Sequence, residues 1–238
     1  MLIQGFESKG VHVIDNFLSQ SDCVGLIRRI RESCNAQPPP LVHRWLKNRP
    51  LHYFVLDGYR IVRTLPDVMD IYAAITSLVL KLTNWTVVRF PDQQVACNVN
   101  ITPAGGSYRY HYDRNAVTAI LYLNETPGGE TECYPDYRIP VGGNDSRLQQ
   151  FMDLILQNGL LRAISRKQMV VRPRPGRLLI MQGDRCLHSV YPVRGDQDRI
   201  NIVMAYDTPN SSGRSNDELN SYLYETGRTE SKDPNYRM

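Results

Sequence analysis

Several features that would place this 238-residue chain in a special class are missing from its sequence. It has no run of about 18 apolar residues, so no membrane span is expected. Its first residues lack the basic and then apolar regions of a secretory signal, and we therefore expect a cytoplasmic protein. Its 28 basic and 24 acidic residues nearly balance, which is not the strongly basic composition typical of nucleic-acid-binding proteins.

Cysteine is also scarce. The five cysteines are odd in number, lie far apart and form no CxxC pair. This pattern disfavours both a disulfide framework and a structural zinc site, and free thiols in a reducing compartment are the simpler interpretation. The densest basic stretch, residues 162–177, is interpreted as a solvated helix end and loop, with a phosphate-facing patch as the alternative.

The N-terminal part, about residues 1–85, shows two helical patterns with β-rich runs between them. Apolar residues recur at helical spacing after Ser19, which is a suitable N-cap, and again after Pro66, which is tolerated in a first turn. Between these helices, Asp57-Gly58 separates two β-rich runs and predicts a hairpin turn.

From residue 86 to residue 207 the sequence consists mainly of short β-branched and aromatic runs separated by glycine, proline and asparagine. Such spacing predicts a sandwich or barrel, and we expect one domain over residues 1–238. Residues 208–238 form a polar tail. A helix is predicted near residues 145–164. Its apolar face is expected to pack on the sheet or, alternatively, to form a dimer contact, and consists of Leu148, Phe151, Met152, Ile155 and Leu156.

The run YRYHYDR contains a candidate pair of metal ligands, His111 and Asp113. Alternate residues of a strand share a face, so these two side chains point the same way, together with Arg109. His188 is the candidate third ligand, from a distant strand. Two histidines and one carboxylate form the facial triad of non-haem iron oxygenases, although Mn(II) and Zn(II) also suit these ligands. The His-x-Asp spacing alone is a weak signal and depends on its context.

Arg199 supplies part of that context. It begins an otherwise apolar strand and shares a face with Asn201 and Val203. A guanidinium directed into a barrel binds a carboxylate through paired, charge-assisted hydrogen bonds. A surface charge is the alternative, which the apolar character of the strand disfavours.

Taken together, these segments resemble the Fe(II)/2-oxoglutarate-dependent dioxygenases, specifically their prolyl-4-hydroxylase-like branch. The resemblance covers about residues 10–207. It is carried in order by HVIDNFLSQSDCVGLI, YRYHYD, VTAILYLNE, GGETECYP and RPRPGRLLIMQGDRCLHSVYPVRGDQDRINIVMAYD. It implies a mainly β fold, namely a double-stranded β-helix (jelly roll) supported by N-terminal helices.

The resemblance also implies roles for individual residues. His111, Asp113 and His188 would hold Fe(II), and Arg199 would bind the distal carboxylate of 2-oxoglutarate. Tyr122 matches a tyrosine whose hydroxyl contacts the same carboxylate in related enzymes. The remaining candidates belong to the cosubstrate pocket or to the substrate site, and are Asn201 and Thr131 for the former and Arg109 and Asn98 for the latter.

Two positions depart from the pattern of the family. Collagen-type members often have lysine where Arg199 stands, and Ile101 takes the place of a second cosubstrate-contacting tyrosine found in some relatives. Halogenating relatives replace the carboxylate ligand by a small residue. Because Asp113 is present, hydroxylation is expected instead, while cyclisation, desaturation and epimerisation stay open.

The resemblance implies a reaction that consumes 2-oxoglutarate and O2, with ascorbate as an optional reductant. The expected substrate is a small molecule, such as an amino acid, a sugar or a natural-product intermediate. A peptidyl or prolyl side chain is the alternative within the enzymes. A non-catalytic jelly-roll binding or sensor module is the alternative of another class, and a nucleic-acid demethylase is supported only by residues 162–177. A nucleic-acid partner is not expected, and both a monomer and a homodimer stay open.

Overall fold

A computed structural model describes residues 10–46, 49–142, 146–209 and 223–224 of the chain. The helices and strands are β1 (Val11–Ile14), α1 (Gln20–Ala36), β2 (Leu41–Leu46), β3 (Arg49–Leu56), α2 (Gly58–Thr64), α3 (Pro66–Leu82), β4 (Val88–Arg89), α4 (Gln93–Ala96), β5 (Cys97–Thr102), β6 (Tyr108–His111), β7 (Val117–Tyr122), β8 (Thr131–Tyr134), α5 (Arg147–Leu156), α6 (Gly159–Ser165), β9 (Met169–Val171), β10 (Leu178–Met181), β11 (Leu187–Val190) and β12 (Arg199–Asp207). Among the described helices, none is long and apolar enough to cross a membrane.

The strands form two antiparallel sheets. The larger sheet has the order β1-β10-β7-β12-β5-β3-β2, with β4 paired to β12 as its eighth strand, and the smaller has the order β6-β11-β8-β9. Neighbouring strands come from distant parts of the sequence, as in jelly rolls. The predicted jelly-roll fold is therefore confirmed.

The two predicted N-terminal helices are present and cover the outer face of the larger sheet. Ser19 caps α1 by accepting a hydrogen bond from the backbone N–H of Asp22, and Pro66 is the first residue of α3. Their buried faces join β7 and β12 in one apolar cluster, whose members include Leu26, Ile30, Tyr72, Ile75, Ala119, Leu121, Ile202 and Met204. Packing of these faces, more than helix propensity, fixes the helices on the sheet.

The inner face of the larger sheet looks towards the smaller sheet. On β7, Ala119 and Leu121 pack on the helices, whereas Ile120 and Tyr122 pack in a second cluster between the sheets. All six residues of β7 are therefore buried. The polar residues of the predicted site stand in the space between the two sheets.

The hairpin predicted at Asp57-Gly58 is wrong. Asp57 is instead the N-cap of α2, because its carboxylate accepts a hydrogen bond from the backbone N–H of Arg60 at 2.9 Å. Gly58 is required by close packing, since a Cβ there would lie 1.9 Å from the carbonyl oxygen of Gln93. Asp-Gly favours both hairpin turns and helix starts, and only the tertiary contact distinguishes them.

The insertion near residues 145–164 forms two helices, and the predicted packing face of the first is wrong except at Leu156. On α5, Leu156 of the predicted face is buried together with Gln149 and Asp153, whereas Leu148 and Phe151 are 57% and 59% exposed. Asp153 forms an ion pair with Arg138 at 2.5 Å and accepts a hydrogen bond from Gln149 at 2.9 Å. A polar network therefore holds α5 together with Leu156, which packs in an apolar cluster with Tyr134 and Leu187. The dimer contact stays a prediction.

Most of the predicted polar tail, residues 208–238, lies outside the described residues. Leu223 and Tyr224 are described, and both contact the jelly roll. The Tyr53 hydroxyl donates to the Leu223 carbonyl oxygen at 2.7 Å, and the Asn98 amide donates to the Tyr224 hydroxyl at 3.2 Å. This part of the C-terminal segment therefore lies against β3 and β5.

Candidate metal centre and cosubstrate pocket

Cross-strand pairing brings the predicted metal ligands together. His111 at the end of β6 pairs directly with His188 on β11, and their ring centroids are 4.2 Å apart. Asp113 follows two residues later, and its Oδ1 lies 3.5 Å from Nε2 of each histidine. The ligand atoms all lie within 4.8 Å of one another, the one such group of three or more in the part of the chain that the structure describes.

Both imidazoles are oriented for metal binding. Nδ1 of His111 lies 2.8 Å from the carbonyl oxygen of Arg109, and Nδ1 of His188 lies 3.0 Å from that of Cys186. An Nδ1–H that donates to a carbonyl leaves the Nε2 lone pair available for a metal. Since both Nε2 atoms face the same carboxylate of Asp113, the three side chains fit a single divalent cation.

Asp113 is held by neighbours from the larger sheet. Its Oδ2 accepts a hydrogen bond from the Thr118 hydroxyl at 2.5 Å, and the Asn115 amide donates to Thr118 Oγ1 at 2.9 Å. The backbone N–H of Asp113 donates to the Gly183 carbonyl oxygen at 2.9 Å. A Cβ on Gly183 would lie 2.7 Å from Thr118 Oγ1 and 2.9 Å from Asp113 Cβ, so only glycine fits there.

The electrostatics of the three side chains favour a cation between them. Burial raises the pKa of Asp113, but the charge of His188 and hydrogen bonds from both imidazoles outweigh burial and keep this pKa far below its usual range. Burial lowers the pKa of His188, but the Asp113 carboxylate raises it to about 9. Burial and the nearby His188 lower the pKa of His111. The carboxylate therefore stays ionised, and a metal ion competes with one proton for this position.

Arg199 lies deeper between the sheets and is only 2% exposed. Its terminal nitrogens donate to Asn201 Oδ1 at 2.5 Å and to Thr131 Oγ1 at 3.3 Å, and its Nε has no hydrogen-bond partner. The Tyr122 hydroxyl donates to Thr131 at 2.6 Å, with its ring 5.2 Å from the guanidinium carbon. None of the ion pairs found among the described residues includes Arg199. A buried cation without an acidic partner fits an anionic ligand.

A cavity of about 160 Å³ connects the metal ligands with Arg199. Most of the predicted site residues line it, namely His111, Asp113, His188, Arg199, Asn201, Thr131 and Asn98. Tyr122 is not among the lining residues, but its hydroxyl donates to Thr131 and its ring lies beside Arg199, both of which line the cavity. Arg109 is not among the lining residues.

A bulge in β6 explains why Arg109 does not line the cavity. The register pairs His111 with His188 and Tyr108 with Val190, so three steps on β6 match two on β11. An extra residue of this kind reverses the alternation of side chains along a strand. Regular alternation predicted Tyr108 on the face opposite His111, whereas both line the cavity.

Residues 96–207 match the model of the 2OG-Fe(II) oxygenase superfamily. The chain carries a 2OG-Fe(II) oxygenase domain. The resemblance seen in the sequence is thereby confirmed, and with it an enzyme that uses Fe(II), 2-oxoglutarate and O2. No curated protein matches the sequence.

Solved structures of low sequence identity share the fold of this oxygenase. The non-haem alpha-ketoglutarate-dependent epimerase SnoN from nogalamycin biosynthesis is 15% identical with a TM-score of 0.66, over 87% of this chain and 82% of that one. The carbocyclase SnoK from the same biosynthesis is 14% identical with a TM-score of 0.65, over 87% and 82%. A prolyl hydroxylase from Trichoplax adhaerens, solved with a hypoxia inducible factor peptide fragment, is 19% identical with a TM-score of 0.59, over 87% of each chain.

Four residues at this oxygenase site were not predicted from the sequence, namely Thr118, Asn100 and Tyr224, which line the cavity, and Gly183, which packs on Asp113. Thr118 shares a strand face with Tyr122, and Asn100 shares one with Asn98, so strand alternation was a usable signal for both. Gly183 and Tyr224 had no such signal, because only tertiary packing brings them to the site.

The basic stretch 162–177 is tied into the fold of the oxygenase. The Arg162 guanidinium lies 3.4 Å from the ring centroid of Tyr110, and Lys167 donates to the carbonyl oxygen of Asp136 at 2.7 Å. Arg177 forms an ion pair with Asp15 at 2.6 Å. These contacts agree with a helix end and loop held by the protein itself.

Proposed function

We propose that this oxygenase oxidises a C–H bond of a small molecule at an iron held by His111, Asp113 and His188. The observation that carries the proposal is the convergence of two Nε2 atoms on one carboxylate, 3.5 Å from each, beside the buried Arg199. Bound Fe(II) would supply the oxidising chemistry, in which O2 and 2-oxoglutarate give the oxidised substrate, succinate and CO2. Imidazole and carboxylate ligands suit this metal.

Arg199 is the proposed anchor of the distal carboxylate of 2-oxoglutarate. Asn201 and Thr131 hold two nitrogens of the guanidinium, which fixes its plane. Tyr122 supports the same arrangement by donating to Thr131. An oriented guanidinium loses little side-chain entropy on binding a carboxylate, so it can place the keto acid accurately.

Hydroxylation is the proposed outcome, and halogenation is not. The Asp113 carboxylate accepts a hydrogen bond from the Thr118 hydroxyl, and its backbone N–H donates to the Gly183 carbonyl oxygen. These two hydrogen bonds hold the carboxylate beside the histidines. A permanent carboxylate ligand leaves no place for a halide in the triad. Cyclisation and epimerisation are further outcomes of the same hydrogen abstraction.

The residues that line the cavity favour a small-molecule substrate. Leu223 and Tyr224 lie over the cavity and are hydrogen-bonded to Tyr53 and Asn98. The cavity lining also includes Phe90, Val95, Arg114 and the amide side chain of Asn100. A neutral or anionic molecule with hydroxyl groups and a flat ring suits these walls. The fold shared with SnoN and SnoK agrees with such a substrate.

A peptidyl or prolyl side chain is the second candidate, because the fold is also shared with a prolyl hydroxylase that was solved with a peptide. A panel of hydroxylated aromatic molecules, sugars, amino acids and proline-containing peptides separates the two candidates. The measurement is succinate formed above the level without added substrate. Stimulation by small molecules alone supports the proposal, and stimulation by peptides alone contradicts it.

The cytoplasm is the proposed compartment. All five cysteines are free thiols, and burial raises the pKa of Cys23 and Cys97. Unpaired cysteines are typical of a reducing compartment.

A further inference from the structure

The two helices of the insertion turn apolar side chains towards solvent. Thirteen large apolar side chains are exposed in the described part of the chain, and six of them lie on α5 and α6. These six define the insertion face, namely Leu148, Phe151, Leu154, Leu160, Leu161 and Ile164. Single exposed apolar residues are ordinary on a protein surface, whereas their concentration on two short helices marks a site of contact.

Both helices turn a mainly polar side towards the protein. On α5, the three exposed apolar residues recur at three-residue spacing and share one side, while another side buries Gln149, Asp153 and Leu156. On α6, the guanidinium of Arg162 lies 3.4 Å from the ring centroid of Tyr110 on the smaller sheet. An ordinary surface helix turns its apolar stripe towards the core instead. Specific polar contacts therefore present the apolar stripes of α5 and α6 to the outside.

The stripes of the two helices belong to one continuous surface. Leu156 at the end of α5 packs with Tyr134, and the guanidinium of Arg162 on α6 lies 5.9 Å from the ring of the same tyrosine. Tyr110 and Tyr134 are themselves neighbours, with ring centroids 6.3 Å apart. Both helices therefore lie side by side on the outer face of the smaller sheet. Their exposed sides point away from the protein, opposite the side that α1 and α3 cover.

The charge around the insertion face is almost entirely positive. Between residues 146 and 174 the sequence has six basic residues and one acidic residue, Asp153. The charge of Asp153 is balanced by its ion pair with Arg138. Arg147 begins α5, Arg166 directly follows α6, and both are exposed. The chain therefore enters and leaves the insertion face at a basic residue.

This charge distinguishes between the two kinds of surface that could cover the insertion face. A twofold contact between two copies of the chain would bring the basic residues together, and like charges opposed across an interface are unfavourable. The negative surface of a membrane that contains acidic phospholipids complements them. The apolar side chains of an interfacial helix enter the boundary between head groups and acyl chains, while arginine side chains extend to the phosphates. The charge therefore favours a membrane surface.

We propose that the insertion face binds the surface of membranes that contain acidic phospholipids. The two helices lie flat on the bilayer, with the six apolar side chains in the interface and Arg147 and Arg166 at the head groups. This peripheral contact needs no spanning helix. It is independent of the reaction proposed for the cavity, which lies on the inner side of the smaller sheet.

Cosedimentation of the full chain with vesicles tests the apolar part of the contact. The probes are vesicles of phosphatidylcholine alone and vesicles of phosphatidylcholine mixed with phosphatidylserine. The variants are Phe151→Gln and Ile164→Gln, because glutamine is polar and a good helix former. Val24→Gln is the matched control, since Val24 is 63% exposed on α1, on the opposite side of the protein.

The wild type should bind the mixed vesicles more tightly than phosphatidylcholine alone. Phe151→Gln and Ile164→Gln should each raise the Kd for the mixed vesicles about tenfold, the effect of removing one large apolar side chain from the apolar phase. Val24→Gln should bind like the wild type. Thermal unfolding confirms that each variant is folded, so that lost binding reports on the face itself.

A second set of variants tests the charge. Arg147→Gln combined with Arg166→Gln should raise the Kd for the mixed vesicles about tenfold or more, and added salt should weaken binding of the wild type. Arg28→Gln combined with Arg31→Gln, on α1, is the control and should leave the Kd unchanged.

Three results would overturn the inference. The first is a wild type that does not bind the mixed vesicles, or binds phosphatidylcholine alone equally well. The second is equal binding by the insertion-face variants and their α1 controls. The third is a wild-type dimer in sedimentation velocity that Phe151→Gln dissociates, because the face would then belong to a second copy of the chain.

Discussion

His111 and His188 face each other across one pair of antiparallel strands, with ring centroids 4.2 Å apart. Both belong to the smaller sheet, whereas Asp113 is anchored by Thr118 and Gly183, which belong to or adjoin strands of the larger sheet. The proposed metal site is therefore complete only when the two sheets are packed together. Metal binding should consequently stabilise the packed jelly roll as a whole.

Replacing His188 by alanine should remove metal binding. Two ligands on one cation bind far more weakly than three, and Asp113 loses the charge that keeps it ionised. Fe(II) added without oxygen should raise the Tm of the wild type and leave that of His188→Ala unchanged. His12→Ala is the control, because His12 lies on β1 outside the cavity lining. An equal metal-induced rise in His188→Ala would contradict the assignment of this ligand.

Thr118 should tune the metal through Asp113. Its hydroxyl donates to Asp113 Oδ2 at 2.5 Å, and loss of such a supporting partner typically lowers metal affinity about 10–100-fold. Thr118→Val should show this loss in an anaerobic Fe(II) titration, whereas Thr118→Ser should bind like the wild type. The role is disproved if the valine and serine variants have the same affinity.

Gly183→Ala should damage the site and the fold together. The new Cβ would lie within 3 Å of Thr118 Oγ1, Asp113 Cβ and the Asn115 carbonyl oxygen. We expect a loss of about 1–3 kcal/mol in the free energy of unfolding, with weaker Fe(II) binding. Chemical denaturation measures the first effect. Gly25→Ala on α1 is the control, since the nearest atom would be 3.8 Å away and alanine favours a helix interior by about 0.5–1 kcal/mol. Similar stabilities of the two variants would be inconsistent with this packing.

The ion pair between Arg138 and Asp153 should hold the helical insertion. Both side chains are about 10% exposed, and the pair is 2.5 Å long. Asp153→Ala leaves the Arg138 charge buried without its partner, which should cost about 3–5 kcal/mol in unfolding experiments. By contrast, Glu32→Gln breaks the exposed pair with Arg28 and should cost less than about 1 kcal/mol. Equal effects would mean that the apolar residues of α5 carry its packing.

Much of the fold and of the candidate site could be predicted because the relevant signals are local. Ser19 and Pro66 mark helix starts, and strand alternation places Arg199 with Asn201 on one face. The separate segments around His111 and His188 became informative jointly, through the resemblance to a family. The family match, the order of the strands and the convergence of His111, Asp113 and His188 confirm the predicted family, jelly roll and cofactors.

The errors arise where tertiary contacts decide between local alternatives. Asp57-Gly58 suits a hairpin as well as a helix start, and the contact of Gly58 with Gln93 selects the helix. The apolar stripe of α5 predicted a packing face, but the ion pair of Arg138 with Asp153 rotates the helix so that, of that stripe, Leu156 is buried and Leu148 and Phe151 are exposed. The bulge that brings Tyr108 beside His111 depends on pairing with β11, which no local pattern shows.

The most direct test of the central claim is an anaerobic titration of the protein with Fe(II) and 2-oxoglutarate, read by visible absorption. The wild type should develop a weak charge-transfer band from the keto acid bound at the iron, and admission of O2 should discharge the band with formation of succinate. His188→Ala should show neither the band nor succinate. Absence of the band and of succinate in the wild type itself would contradict the account.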